Sequence, residues 1–121
     1  MKTPVTLIVG ASPNPERYSF MATQLLKSYG HQVYAFGIKK GIIGDETIQL
    51  EWPESGTIDT ITLYLGPAAQ KPLYDTILGI HPRRIIFNPG TENTELEALA
   101  QEKGIEAIEA CTLVMLKTNQ Y

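Results

Sequence analysis

Short apolar runs alternate along this chain with stretches whose apolar positions recur at helical spacing. Residues 5–10, Val5-Thr6-Leu7-Ile8-Val9-Gly10, read as the first strand. From 16 to 28 the positions Phe20, Met21, Leu25 and Leu26 mark one face of a helix, and Gly30 supplies its stop. Residues 31–36 read as a second strand. The stretch 37–56 is less regular, with clustered glycines and a Trp52-Pro53 pair, and predicts a loop carrying a short β-arm around 48–50. A third strand spans 58–65, a helix 67–78, a short buried strand 84–87 and a further helix 94–103. Gly104 ends that helix, and 106–110 begins a fifth strand with Cys111 at its end.

Strands separated by helices of about ten residues build right-handed βαβ units. The pattern therefore predicts an α/β protein: a three-layer Rossmann-like domain with a five-stranded parallel sheet, order 3-2-1-4-5. That order rests on a candidate ligand turn after the first strand. The 121 residues suit a single domain covering 1–121. With 43% hydrophobic and 19% charged residues, the chain can bury a core and shows no compositional sign of disorder. A formal net charge of −3 argues against nucleic acid, which demands a basic face. No apolar run approaches the roughly 20 residues that span a bilayer, and the first residues lead into the strand without a secretory signal. One cysteine precludes an intramolecular disulfide, which fits a reduced, cytoplasmic setting.

The chemistry concentrates in Gly10-Ala11-Ser12-Pro13-Asn14-Pro15-Glu16-Arg17-Tyr18-Ser19. A strand that ends in small residues and opens onto a helix can set backbone N–H groups against a phosphate. Gly10 permits the bend, and Ala11 and Ser12 let a ligand approach. Ser12, Asn14 and Ser19 can donate hydrogen bonds, and Arg17 can pair with a phosphate oxygen. Ser12 equally fits a helix cap, and Arg17 a solvated charge. With Gly10 as its only glycine, the turn is not the usual dinucleotide fingerprint.

The end of the second strand bears on which ligand fits. NAD-binding domains place a carboxylate there for the ribose hydroxyls, whereas this chain has Gly37-Ile38-Lys39-Lys40. Lys39 and Lys40 suit an additional phosphate on the adenosine ribose, as in coenzyme A or NADP, or they solvate a loop. The third strand ends at Gly66-Pro67-Ala68-Ala69, a corner of small residues with Pro67 suited to a first helical turn. After the fourth strand, Asn88 and Thr91 can bond polar ligand groups, Asn93 or Thr94 can cap the next helix, and Glu92 is the one carboxylate near the crevice. His31 and His81 precede strands and belong to the opposite edge, away from Cys111. Cys111 reads as a buried structural cysteine. Leu113, Met115 and Leu116 form an apolar tail that packs on the sheet or against a second copy. No spacing here matches a metal site.

Taken in order, Val9-Gly10-Ala11-Ser12 with Pro15-Glu16 and Tyr18-Ser19, Gly30-His31-Gln32-Val33, Ile43-Gly44, Ile58-Asp59, Pro67, Asn88-Pro89-Gly90 with Glu92-Asn93, and Gly104-Ile105 before Cys111 cover nearly the whole chain. This set resembles the small stand-alone CoA-binding proteins, which are similar to the N-terminal CoA-binding domain of the succinyl-CoA synthetase α subunit. The resemblance implies a Rossmann-like fold that binds coenzyme A with its pyrophosphate on the first turn. Gly10, Ala11, Ser12, Arg17, Tyr18 and Ser19 would form the phosphate loop. Lys39 and Lys40 would approach the ribose phosphate, and Pro67 and Asn88 would close the crevice.

No base–nucleophile pair stands out, so the leading expectation is a cytoplasmic nucleotide-binding module that holds coenzyme A or an acyl-CoA without its own chemistry. The alternative is an enzyme acting on a CoA thioester or nucleotide, with Cys111 or Glu92 participating and a partner subunit completing the site. A reductase using NADP is disfavoured by the single glycine. Neither nucleic acid nor membrane is expected as a partner. A homodimer or a partner protein stays open.

Overall fold

A computed structural model describes residues 4–121. In chain order it contains β1 (Val5–Val9), α1 (Tyr18–Ser28), β2 (Gln32–Phe36), β3 (Ile42–Ile43), β4 (Glu46–Thr47), β5 (Thr60–Leu63), α2 (Pro67–Gln70), a 3-10 turn (Lys71–Leu73), α3 (Tyr74–Gly79), β6 (Arg84–Phe87), α4 (Thr94–Glu102), β7 (Glu106–Glu109) and α5 (Thr112–Lys117). Five of the strands form one parallel sheet in the order β2-β1-β5-β6-β7. The class is the expected Rossmann-like one.

The strand order corrects the expectation of 3-2-1-4-5: counted over the main sheet it is 2-1-3-4-5. Burial supplies the reason. Every residue of β5 is buried, whereas β2 carries exposed and half-buried positions. A strand covered on both faces belongs inside a sheet, and the partly wet one belongs at its edge. β1 therefore has β2 on one side (Val5↔Gln32) and β5 on the other (Thr6↔Thr60). The chain leaves β1 in one direction and returns past it in the other, which opens a crevice between the carboxyl ends of β1 and β5.

Helices cover both faces. On one, Leu7, Val9, Ile61, Leu63, Ile85 and Phe87 pack against Ile77 and Leu78 of α3 and Leu96 and Ala100 of α4. Fully burying each such aliphatic or aromatic side chain contributes about 1.5–3 kcal/mol. On the other, Ile8 and Ala35 meet Leu26 of α1 and Leu116 of α5, with Ile43 and Ile48 from the arm. This second face is more polar. Arg84, 6% exposed, donates from Nε to Thr60 Oγ1 at 3.0 Å, and its guanidinium lies 4.5 Å from the centre of the Tyr121 ring. The Tyr121 hydroxyl in turn bonds Thr6 Oγ1.

Three further expectations change. The β-arm is a hairpin of Ile42–Ile43 and Glu46–Thr47, and at 48–50 only Gln49 pairs, by a bridge to Phe36. The helix expected at 67–78 is broken into α2, the 3-10 turn and α3, because Pro72 offers no N–H to a continuous helix. The apolar tail is α5, whose Met115 and Leu116 are buried on the sheet, and Cys111 is its N-cap residue, half-exposed and outside the strand. No helix among the described residues is long and apolar enough to cross a membrane.

Candidate functional site

The crevice predicted by the topology is a cleft of about 700 Å³ across the carboxyl ends of β2, β1, β5 and β6, within the usual range for small-molecule sites. Gly10 sits at its centre with φ +98°, and a side-chain carbon there would lie 3.0 Å from Leu65 Cδ2 and 3.1 Å from the Tyr64 carbonyl carbon. Only glycine serves at this point, for both the backbone angle and the close approach. Gly37 is equally constrained, since a Cβ on it would collide with the Ala11 carbonyl oxygen.

The backbone of the first turn is committed differently from the expectation. Gly10 and Ala11 both donate their N–H groups to the carbonyl of Phe36, at 3.0 and 2.8 Å, so neither is free for a ligand. Asn14 N donates to Ser12 Oγ at 3.1 Å, Glu16 N to Asn14 Oδ1 at 3.0 Å and Arg17 N to Asn14 O at 3.0 Å. Ser12 and Asn14 thus shape the loop through local side-chain turns. Within residues 10–19 the N–H groups left without a partner among the described residues are those of Ser12, Tyr18 and Ser19. Tyr18 and Ser19 open α1, and Arg17, its N-cap, makes no side-chain cap bond. An uncapped helix start with a guanidinium beside it favours an anion.

Among the residues expected to bind, Gly10, Ala11, Ser12, Arg17, Tyr18, Ser19 and Lys39 line this one cleft. Asn14, Lys40 and Pro67 do not. Asn88 is 2% exposed and fully engaged: Nδ2 donates to Thr62 Oγ1 and Leu63 O at 2.7 and 2.8 Å, while Oδ1 accepts from Thr112 N at 2.9 Å. It ties β5, β6 and the start of α5 together below the cleft and presents no group to a ligand. Thr91 lines the cleft but donates its hydroxyl to Asn88 O. Asn93 caps α4, its Oδ1 accepting from Leu96 N at 3.2 Å.

Other parts of the site carry no residue-type signal in the sequence. Gln70 is fully buried; its Nε2 donates to Leu65 O at 2.7 Å and Thr91 O at 2.8 Å, and its Oε1 accepts from Asn93 Nδ2 at 2.9 Å. It holds the turns after β5 and β6 at a fixed separation. Tyr64, Leu65, Pro72, Leu73 and Pro89 complete an apolar wall on that side. Burial pushes the Tyr64 hydroxyl up to about 12, so it stays neutral. The cations Arg17 and Lys39 line the cleft, and no carboxylate does. Near its outer end Glu92 Oε1 accepts from Gly90 N at 2.8 Å. His31 belongs to the far edge, beside Val5 and Gln32, with its ring 4.8 Å from that of Tyr121. Among the described residues no group of His, Cys, Asp or Glu is arranged to hold a metal ion.

Close by, Glu97 is held above the usual carboxylate range by burial first and by the neighbouring Glu109 second. A carboxyl raised in this way favours the fold most in acid, below its unfolded value, and that contribution fades as pH climbs through the folded one. Glu109→Gln should therefore raise the Tm by about 1–2 °C near neutral pH and leave it unchanged at pH 4. Thermal scans at both pH values check this, and an equal gain at pH 4 would refute the carboxylate pairing.

Against known proteins, residues 5–117 match the model of the CoA binding domain family. A solved structure described as an uncharacterized protein shares 45% identity over 100% of both chains, with a TM-score of 0.94. A protein from Thermus thermophilus is similar at 17% identity, covering 98% of this chain and 91% of its own, with a TM-score of 0.85. A hypothetical protein from Pyrococcus horikoshii OT3 is similar at 20% identity, covering 96% and 82%, with a TM-score of 0.83. The last two show the fold alone. No curated protein matches. With nearly its whole length matched and the helix start open at the head of its cleft, this chain belongs to the CoA-binding domain family.

Proposed function

We propose that this single-domain protein is a cytoplasmic module that holds coenzyme A or an acyl-CoA in the cleft, without chemistry of its own. The observation that carries the reading is the unpartnered start of α1, where Tyr18 and Ser19 N–H groups and Arg17 meet at the cleft. The diphosphate lies there, bonded by those amides, by Ser12 N and by the guanidinium. Lys39, across the cleft after β2, takes the phosphate on the adenosine ribose, and no carboxylate stands nearby to hold free ribose hydroxyls as NAD requires. The uncharged wall from Tyr64 to Leu73 suits the neutral pantetheine arm better than a second nucleotide. Cys111 is outside the cleft lining, which leaves no nucleophile with a base beside it facing the ligand. Such a module would sequester, sense or deliver its ligand.

Thermal shift provides the test. Coenzyme A at about 100 times its Kd stabilises the native state by about 2.7 kcal/mol, a rise in Tm on the order of 10 °C. The 3′-dephospho form, lacking the group assigned to Lys39, should give a clearly smaller shift at the same concentration. Equal shifts from the two would remove Lys39 from the site, and no shift from either would reject the cofactor.

A further inference from the structure

We infer that the β5–β6 half of the cleft selects a coenzyme A thioester with a small, uncharged acyl group, and that Glu92 at its outer end disfavours an acyl group carrying a carboxylate. This rests on the coenzyme A reading above. The cleft is electrically lopsided. Both lining cations, Arg17 and Lys39, belong to the β1–β2 half. The wall beyond β1 is built from Leu65, Ala69, Pro72, Leu73 and Pro89, while the Tyr64 hydroxyl is turned toward Thr62 and Thr112. Lys71 precedes Pro72 but is not part of the lining.

Reach connects this wall to the acyl end. Strands in a sheet lie about 4.8 Å apart, so the end of β6 is about 10 Å from that of β1. The pantetheine arm has the backbone length of four to five extended residues, about 15 Å. A diphosphate at the start of α1 therefore delivers the thioester past Pro89 and Gly90. There Glu92 is bonded to Gly90 N at 2.8 Å, and Glu97 accepts from Asn93 N at 3.2 Å with Glu109 beside it. A second carboxylate arriving at this end leaves water for an apolar wall, meets no cation of the lining, and faces like charge. An acetyl or butyryl group meets a surface of its own kind.

Calorimetric titration of the purified protein with coenzyme A and its acetyl, butyryl, malonyl and succinyl thioesters tests the proposal. Acetyl- and butyryl-CoA should bind within about threefold of coenzyme A or more tightly, with the malonyl and succinyl esters at least about tenfold weaker than butyryl-CoA. Glu92→Lys, a change at an exposed position, should narrow that gap to about threefold or less by reversing the local charge. Succinyl-CoA binding as tightly as butyryl-CoA would overturn the selectivity while leaving the coenzyme A reading intact. A gap indifferent to Glu92→Lys would overturn the role of Glu92. Failure of every ligand to bind, coenzyme A included, would overturn the underlying reading together with this inference.

Discussion

Replacing Arg17 by alanine is expected to weaken coenzyme A binding by about 10- to 100-fold while moving the Tm of the free protein by no more than about 1 °C. The magnitude follows from losing a charge-assisted bond to a diphosphate at a helix start that has no other cation within its first turn. The small structural cost follows from the native state, in which the Arg17 side chain makes no cap bond and is exposed. Its backbone contributions, the N–H to Asn14 and the carbonyl accepting from Phe20 and Met21, survive the change. Titration of both proteins at one salt concentration reads the ratio directly. Unchanged affinity would place the diphosphate somewhere other than α1.

Gln70→Met should cost about 3–5 kcal/mol of stability and lower the Tm by 10 °C or more. Methionine fills the same space but bonds nothing. The substitution strands the carbonyls of Leu65 and Thr91 and removes one acceptor from Asn93 Nδ2, the last two bonds buried and the first half-buried. Each buried polar group left unpaired costs about 1–3 kcal/mol; Asn93 keeps its bond to the Tyr74 hydroxyl at 2.8 Å, which holds the total down. Because the two turns that Gln70 joins both line the cleft, the remaining folded protein should also bind coenzyme A more weakly. Chemical denaturation measures the first effect and calorimetry the second. A variant as stable as the parent would show that the network contributes little to the fold.

Local patterns carried most of the architecture. The strand 84–87 is bounded as expected because four buried residues lie between Pro82-Arg83 and Asn88-Pro89, so punctuation and burial agree. The six-residue helix α5 was hidden because Thr112-Leu113-Val114-Met115-Leu116 is apolar, partly β-branched and too short to display helical spacing, so it reads only as an apolar tail. Strand order was hidden too, since it depends on which strand is covered from both sides, a property of the assembled sheet.

The site divides in the same way. Arg17, Tyr18 and Ser19 could be placed at the cleft because a strand–turn–helix unit dictates where its turn faces. Asn88 shows the limit: its amide has the donors and acceptor of a ligand contact, but Thr62, Leu63 and Thr112, distant in sequence, take all of them. The Gly10 and Ala11 amides were likewise unreadable, because their partner is a carbonyl on the neighbouring strand. Gln70 had no signal at all, since a polar residue one turn into a helix ordinarily faces water.

The pairing of two amides with the Phe36 carbonyl, together with the tight contact of Gly37 on Ala11, bears on kinetics. A rim already locked in shape has little freedom to surrender when a molecule arrives. Encounter should therefore proceed at a speed set by diffusion and ionic strength, nearly the same for every related ligand. Preference among them will be written in residence time, with the favoured molecule departing last.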